Sequence, residues 1–273
     1  MINEPTIRKI FEVADDFRPL DKPIMTTVSD FDNAMDGGVR GGEMITISGL
    51  SGHGKTSWAL WLTKQIVDSG VPCLWFTYEM NPWYLKEKLV ALGAKEDFAT
   101  YVPIEHSGNT MDWLKAKILE AKEKHACKVV FIDHLHYLIP PNQDQNASLL
   151  IGGIARKIKQ MAIETDTIIY LIAHMRKLDT GEKVNHYAVR DSALIINESD
   201  YVYLVERLGR KKNTKNPASE NLLANDLTNY TKVHLAKNRR TGDVVNRFFS
   251  VENSNFTQLT IDEVNDIKDK IQL

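Results

Sequence analysis

Cysteine is nearly absent from this chain of 273 residues. The two it has, Cys73 and Cys127, lie far apart, each inside an apolar run. A disulfide framework is therefore excluded, and a reducing compartment is expected. No apolar run is long enough to span a bilayer, because charged residues interrupt every longer stretch. The opening Met1-Ile2-Asn3-Glu4-Pro5 has no basic region leading into an apolar segment, so no secretory signal is expected and a cytoplasmic protein is. An excess of one charge is missing too: 34 Lys and Arg stand against 36 Asp and Glu, a formal net charge of -2. That excludes a basic coat protein for nucleic acid but leaves room for a local basic surface. With 43% hydrophobic and 26% charged residues, the chain reads as globular rather than disordered. Its length suits one α/β domain with short extensions.

What is there is a recurrence of short apolar runs rich in β-branched and aromatic residues. They fall at residues 44–48, 73–77, 129–133, 168–173, 201–205, 232–235 and 245–250. Helical periodicity fills the gaps between the first four, at 55–68, 82–92, 112–124 and 148–164. Strands without polar alternation, joined by helices, predict a parallel sheet covered on both faces. The last runs follow one another without helices and predict an antiparallel extension at the sheet edge. Residues 1–25 read as an arm, with an amphipathic helix over 4–14 carrying Ile7, Ile10, Phe11 and Val13. It packs either on its own domain or on a neighbouring subunit. Residues 26–260 form the main domain, and 261–273 a tail helix. The polar stretch 209–228 is a long bulge, functional or disordered.

The sharpest motif is Gly49-Leu50-Ser51-Gly52-His53-Gly54-Lys55-Thr56, which fits G-x-x-x-x-G-K-[ST] without departure. A strand precedes it and a helix follows. Backbone N–H groups of Gly49, Ser51, Gly52, His53 and Gly54 can turn inward on phosphates, and the helix N-terminus adds partial positive charge. Lys55 reaches the β- and γ-phosphates, and the Thr56 hydroxyl, followed by Ser57, is a ligand for Mg²⁺. The run ending at Asp133 supplies the second Mg²⁺ ligand, a carboxylate. Glu79 follows the run 73–77. In a parallel sheet that end faces the phosphate crevice, so Glu79 either orients the attacking water or is a solvated strand-end residue. His174 ends the run 168–173 and can touch the γ-phosphate. His134 and His136 suggest a metal site, but His-x-His at a strand end is more often structural and no third ligand is evident, so zinc is not assigned. By its composition alone, Lys237-Asn238-Arg239-Arg240 reads equally as a basic solvated turn or as a phosphate-reaching element, with Arg239 or Arg240 as its tip.

Taken together, these motifs resemble the RecA-like ATPase domain of ring helicases of the DnaB type, and more closely the helicase half of phage primase-helicases and mitochondrial Twinkle. The resemblance covers about residues 26–259. Thr27-Val28-Ser29-Asp30-Phe31-Asp32 and Gly37-Gly38-Val39-Arg40-Gly41-Gly42-Glu43 are similar to the lead-in. Thr77-Tyr78-Glu79-Met80 is similar to the element whose Glu is the catalytic base. Asp133-His134 resembles the Walker B end, and Ala173-His174-Met175-Arg176-Lys177 the phage form of the γ-phosphate sensor. Ala188-Val189-Arg190-Asp191-Ser192 resembles the DNA-loop motif, with Asp191 where the family has Gly, a carboxylate that would repel phosphate. Lys237-Asn238-Arg239-Arg240-Thr241-Gly242 resembles the element whose Lys and Arg reach the neighbouring subunit's γ-phosphate.

The resemblance implies an ATP- and Mg²⁺-dependent replicative DNA helicase, a hexameric ring moving 5′-to-3′ on single-stranded DNA. Glu79, Lys55, His174, Arg239 and Lys237 would be catalytic, and Arg176, Lys177, Arg190 and Ser192 would contact DNA. No primase or collar is expected ahead of the ATPase, so a separate primase or loader, or the arm alone, would complete the assembly. The other readings are a RecA- or KaiC-like ATPase that assembles without unwinding, and a helicase-derived scaffold.

Overall fold

The computed structural model describes residues 9–13, 22–104, 110–138, 147–174, 193–210, 227–269 and 271. Two short helices, Ile10–Val13 (α1) and Ser29–Ala34 (α2), precede the first strand, Met44–Gly49 (β1). Lys55–Asp68 (α3), Cys73–Thr77 (β2), Pro82–Ala91 (α4), Thr100–Tyr101 (β3) and Met111–His125 (α5) follow. Then come Val129–Asp133 (β4), a 3-10 turn at Leu135–Leu138, Ala147–Thr165 (α6), Ile168–His174 (β5), Ala193–Glu198 (α7) and Tyr201–Gly209 (β6). Leu227–Asn238 (β7), Val245–Glu252 (β8), Asn255–Gln258 (β9) and Ile261–Ile267 (α8) complete the order.

The strands form one nine-stranded sheet in the order β3-β2-β4-β5-β1-β6-β7-β8-β9. The first six in that order run parallel, and β7, β8 and β9 continue antiparallel from β6. Every residue of β1, β2 and β4 is buried, which is why these runs lack polar alternation. Side chains still alternate between faces. Trp75, Val129 and Phe131 pack with Trp58, Leu62 and Leu85 on one side. Leu74, Phe76, Val130 and Ile132 pack with Leu114, Ile118 and Ile158 on the other. On the first face Trp58 is wholly buried among Phe31, Trp61, Tyr203, Phe249 and Phe256, with ring centroids 4.9 to 6.4 Å away.

The helix ends follow local chemistry. Asn81 accepts the Trp83 N–H at the start of α4, with Pro82 in the first turn. Thr110 caps α5 in the same way. Thr260 and Glu263 form a reciprocal capping box on α8.

The fold class predicted from the apolar runs is the one observed. Several boundaries differ. β5 runs on to His174, so the residue predicted just past a strand is its last member. β7 starts five residues earlier than the apolar run, because Thr228, Asn229 and Thr231 interrupt the apolar pattern there and Leu227–Tyr230 are not fully buried. The short elements α2, β3, α7 and β9 escaped prediction. Of the predicted N-terminal helix, α1 is described, with Ile10 and Phe11 exposed. Residues 22–25, the end of the predicted arm, run into the domain, where Ile24 is buried and bridges to Val39; residues 1–8 and 14–21 lie outside the described residues, as do 175–192 and 211–226.

Candidate active site

The carboxyl ends of the parallel strands form one edge of the sheet, where ligands of open α/β folds collect. There an open crevice of about 710 Å³ is lined by Ser51, Gly52, Gly54, Lys55, Thr56 and Ser57 from the loop and helix after β1, together with Glu79, Asp133 and His174. Gly54 begins α3 at φ 92°, in the left-handed region open to glycine. Gly49 serves a different purpose. A β-carbon on it would come within 2.2 Å of the Val205 carbonyl oxygen, so a glycine there lets β1 lie close to β6. His53 does not line the crevice. Its Nδ1 accepts the Arg207 N–H at 3.1 Å, and burial, with Lys55 and Arg207 nearby, pulls its pKa down to about 4. A neutral His53 thus tethers the loop to β6.

Lys55 is buried, and its ammonium donates to the Leu50 carbonyl at 3.0 Å. Burial lowers its pKa to about 8, against the opposing pull of Asp133 and Glu79. The Thr56 hydroxyl is 3.5 Å from Asp133 Oδ2. Asp133 Oδ1 is buried with no hydrogen-bond partner among the described residues. A carboxylate oxygen left so, beside a hydroxyl, suits a hard cation that takes oxygen ligands, and Thr56 and Asp133 fit Mg²⁺. Burial first, and Glu79 next, raise Asp133 to about 6.

Glu79 lies two residues past β2 and its side chain is half exposed. Its carboxylate stands 3.7 Å from His174 Nε2. Burial and the nearby Lys55 and His134 lower the His174 pKa, while Glu79 raises it; the net shift is downward. His134, which follows Asp133, has φ 79°, an unusual value for a residue with a β-carbon. Its ring lies 5.1 Å from that of His174. Beside His134 stand two further donor groups that its neighbours in the sequence do not reveal. Linear spacing hides what strand order brings together, namely Glu79 from β2 and His174 from β5, with all three donor atoms within 4.8 Å of one another. The signal lay in three polar residues, each placed just past a predicted parallel strand.

Lys237 and Arg239 lie at the opposite edge. The Arg239 N–H donates to the Asp200 carbonyl, and the Asp200 N–H to that of Met44, the first residue of β1. The crevice begins where β1 ends, about 17 Å away at ~3.3 Å per residue. Lys237 Nζ donates to the carbonyls of Ile196, Asn197 and Ser199 at 2.6, 3.2 and 2.7 Å, capping α7. Arg239 reaches the Asp200 carboxylate at 3.2 Å and the Asn197 carbonyl at 2.5 Å. The Asp200 carboxylate also takes the Met44 N–H at 2.8 Å and Lys159 at 2.5 Å. Arg240 is tied to Met35, Gly38 and Glu43 of its own chain. Side-chain exposure of 49% for Arg239 against 21% for Arg240 makes Arg239 the better placed of the two to meet another molecule. Arg176, Lys177, Arg190 and Ser192 lie outside the described residues.

Residues 96–258 match the family described as DnaB-like helicase C terminal domain. The stretch includes Asp133, His174, Lys237 and Arg239, and begins after the glycine-rich motif at 49–56 and Glu79. No curated protein sequence matches the chain. Among solved structures, one described as an ATPase domain superposes with a TM-score of 0.72 at 17% identity, over 92% of this chain and 96% of that one. A DnaB-like replicative helicase, studied with its interactions with primase, gives 0.72 at 18% identity, over 94% of this chain and 69% of that one. At such identities the likeness is one of fold.

Proposed function

This chain belongs to the DnaB-like helicase C-terminal domain family, and on that premise we propose that it is an ATP-driven replicative DNA helicase, working as a homomeric ring on single-stranded DNA. The observation that carries the reading is the separation of two half-sites: a nucleotide crevice at one edge of the sheet and Arg239 at the other. Neither half can serve itself. A head-to-tail contact that closes into a ring brings Arg239 and Lys237 of one subunit to the crevice of the next. Six subunits and 5′-to-3′ movement rest on the family likeness.

In this reading Lys55 holds the β- and γ-phosphate oxygens, and the loop N–H groups cradle them. Thr56 and Asp133 would hold Mg²⁺, which neutralises phosphate charge when bound. Glu79 orients the attacking water and takes its proton. His174, at the tip of β5, contacts the γ-phosphate and passes its presence to the segment that follows. Arg239 stabilises the charge spread over the transferring phosphoryl oxygens, an effect of roughly 10³–10⁵ in rate for fingers of this kind. Arg176, Lys177, Arg190 and Ser192 grip the phosphates of one strand, so binding is salt-dependent and largely indifferent to sequence. The exposed Ile10 and Phe11 of the arm dock on the adjacent subunit, and a separate primase or loader completes the assembly.

The test is ATP hydrolysis with and without single-stranded DNA, on protein whose mass is measured with a nucleotide analogue present. Hydrolysis stimulated by DNA in a ring supports the reading, and strand displacement then separates a helicase from an ATPase that only assembles. A monomer whose hydrolysis ignores DNA refutes it.

A further inference from the structure

We propose that Glu79, His134 and His174 form a second cation site of transition-metal character, distinct from the Mg²⁺ ligands, and that filling it halts turnover. The convergence is built into the register. Thr77 pairs with Asp133, and Asp133 with Ile172, across the adjacent strands β2, β4 and β5. Glu79, His134 and His174 stand two, one and two residues beyond that line, so all three emerge at one level of one edge. Their donor atoms lie within 4.8 Å of one another, with Glu79 and His174 already at 3.7 Å. Bonds of about 2.0–2.1 Å in a tetrahedral site need donors about 3.3 Å apart. The half-exposed Glu79 and the partly exposed His174 can close that gap by side-chain rotation.

The donor set selects the ion. Two imidazoles and one carboxylate suit Zn²⁺ and its neighbours Co²⁺ and Ni²⁺, whereas Mg²⁺ takes oxygen. Three protein ligands leave a fourth position for water. The crevice thus holds two kinds of cation site side by side. Asp133 and Thr56 offer oxygen, and one residue past the end of β4 His134 offers nitrogen. The effect on turnover rests on Glu79 being the base: a carboxylate bound to a metal cannot take a proton from water, and a bound His174 cannot meet the γ-phosphate. Lys55, Thr56 and Asp133 are untouched, so nucleotide binding persists.

The experiment uses the full, untagged chain. Co²⁺ is titrated and its visible ligand-field band followed, Zn²⁺ is then used to displace it, and ATPase rates and nucleotide affinity are measured in excess Mg²⁺ with and without Zn²⁺. One Co²⁺ per chain is expected, with Zn²⁺ suppressing turnover at unchanged nucleotide affinity. His134→Asn should weaken metal binding about tenfold or more, and the Mg²⁺-supported turnover it retains should be correspondingly resistant to Zn²⁺. Should His134→Asn fail to fold, Glu79→Gln must lose the Co²⁺ band while still binding nucleotide. No band, or a band that survives both substitutions, overturns the site. A band that disappears in both while Zn²⁺ leaves wild-type turnover intact overturns the inhibition. If the chain hydrolyses no ATP, the reading of Glu79 as base has failed, and the Co²⁺ titration alone decides whether the metal site exists.

Discussion

Replacing Asp200 with alanine should be among the most damaging single changes outside the crevice. Its carboxylate accepts from the Met44 N–H, from Lys159 and from Arg239, joining the start of β1, helix α6 and the Arg239 turn. The side chains of Lys159 and Asp200 are only 15% and 10% exposed. Asp200→Ala leaves a mostly buried ammonium whose remaining acceptor among the described residues is the Gly42 carbonyl. Removing one partner of a buried ion pair costs about 3–5 kcal/mol, and the residual exposure and that carbonyl point to the lower end, about 3 kcal/mol. The half-exposed Arg239 adds roughly 0.5 kcal/mol. For a chain this size, ~3 kcal/mol lowers Tm by about 6–12 °C. Urea unfolding of Asp200→Ala, Lys159→Met and the double variant measures the pair. Most of the loss should vanish in the Lys159→Met background, because no cation is then stranded. A loss under about 1 kcal/mol, or one that Lys159→Met leaves undiminished, refutes the account of Asp200 as a buried charge hub.

Three further outcomes are expected. Glu79→Gln should bind nucleotide normally and lose turnover by two or more orders of magnitude in single-turnover hydrolysis; normal turnover moves the base elsewhere. Arg239→Ala should be inactive alone yet recover ATPase when mixed with Lys55→Ala subunits, since each supplies what the other lacks, and mixing that restores nothing removes the role in trans. Asp133 is raised to about 6 from 3.8 by burial and Glu79, so without metal its ionised form opposes folding. That penalty is absent below about pH 4, grows as pH rises through 4 to 6, and is fully present above. Asp133→Asn should therefore stabilise the Mg²⁺-free protein at pH 7.5 by about 1–3 kcal/mol, gain little at pH 4, and abolish stabilisation by Mg²⁺ and nucleotide. Equal stability of the two proteins in Mg²⁺-free thermal melts at pH 7.5 contradicts it.

The parallel core was legible because strands buried on both faces must be apolar throughout, and five-residue β-branched runs such as Val129–Asp133 have no other comfortable home. The phosphate loop was legible because its chemistry is local: glycines, one lysine and one hydroxyl at fixed spacing. What needs strand order was not. His134 looked like half of an incomplete pair until β2 and β5 were set on either side of β4. Nor could spacing choose between Arg239 and Arg240, whose difference lies in Glu43, Met35 and Gly38, some two hundred residues earlier. Short elements such as α2 and β9 hold too few residues to show a period, and their burial depends on Trp58 arriving from elsewhere.

That aromatic cluster has a mechanical meaning. Trp58 sits on the helix that begins with Lys55, and it is clamped by Phe249 of β8 and Phe256 of β9. β8 in turn is laced to β7, whose end leads into Arg239. Along this chain of contacts the helix that carries Lys55 is packed to the strands that lead into the Arg239 turn, and the ladder between β6 and β7 carries a register shift at Val202 and Tyr203 on the way. In the ring proposed above, a displacement at one edge of the sheet would reach the other through this packing, with the irregularity in β7 and the contacts between subunits as the first places to give.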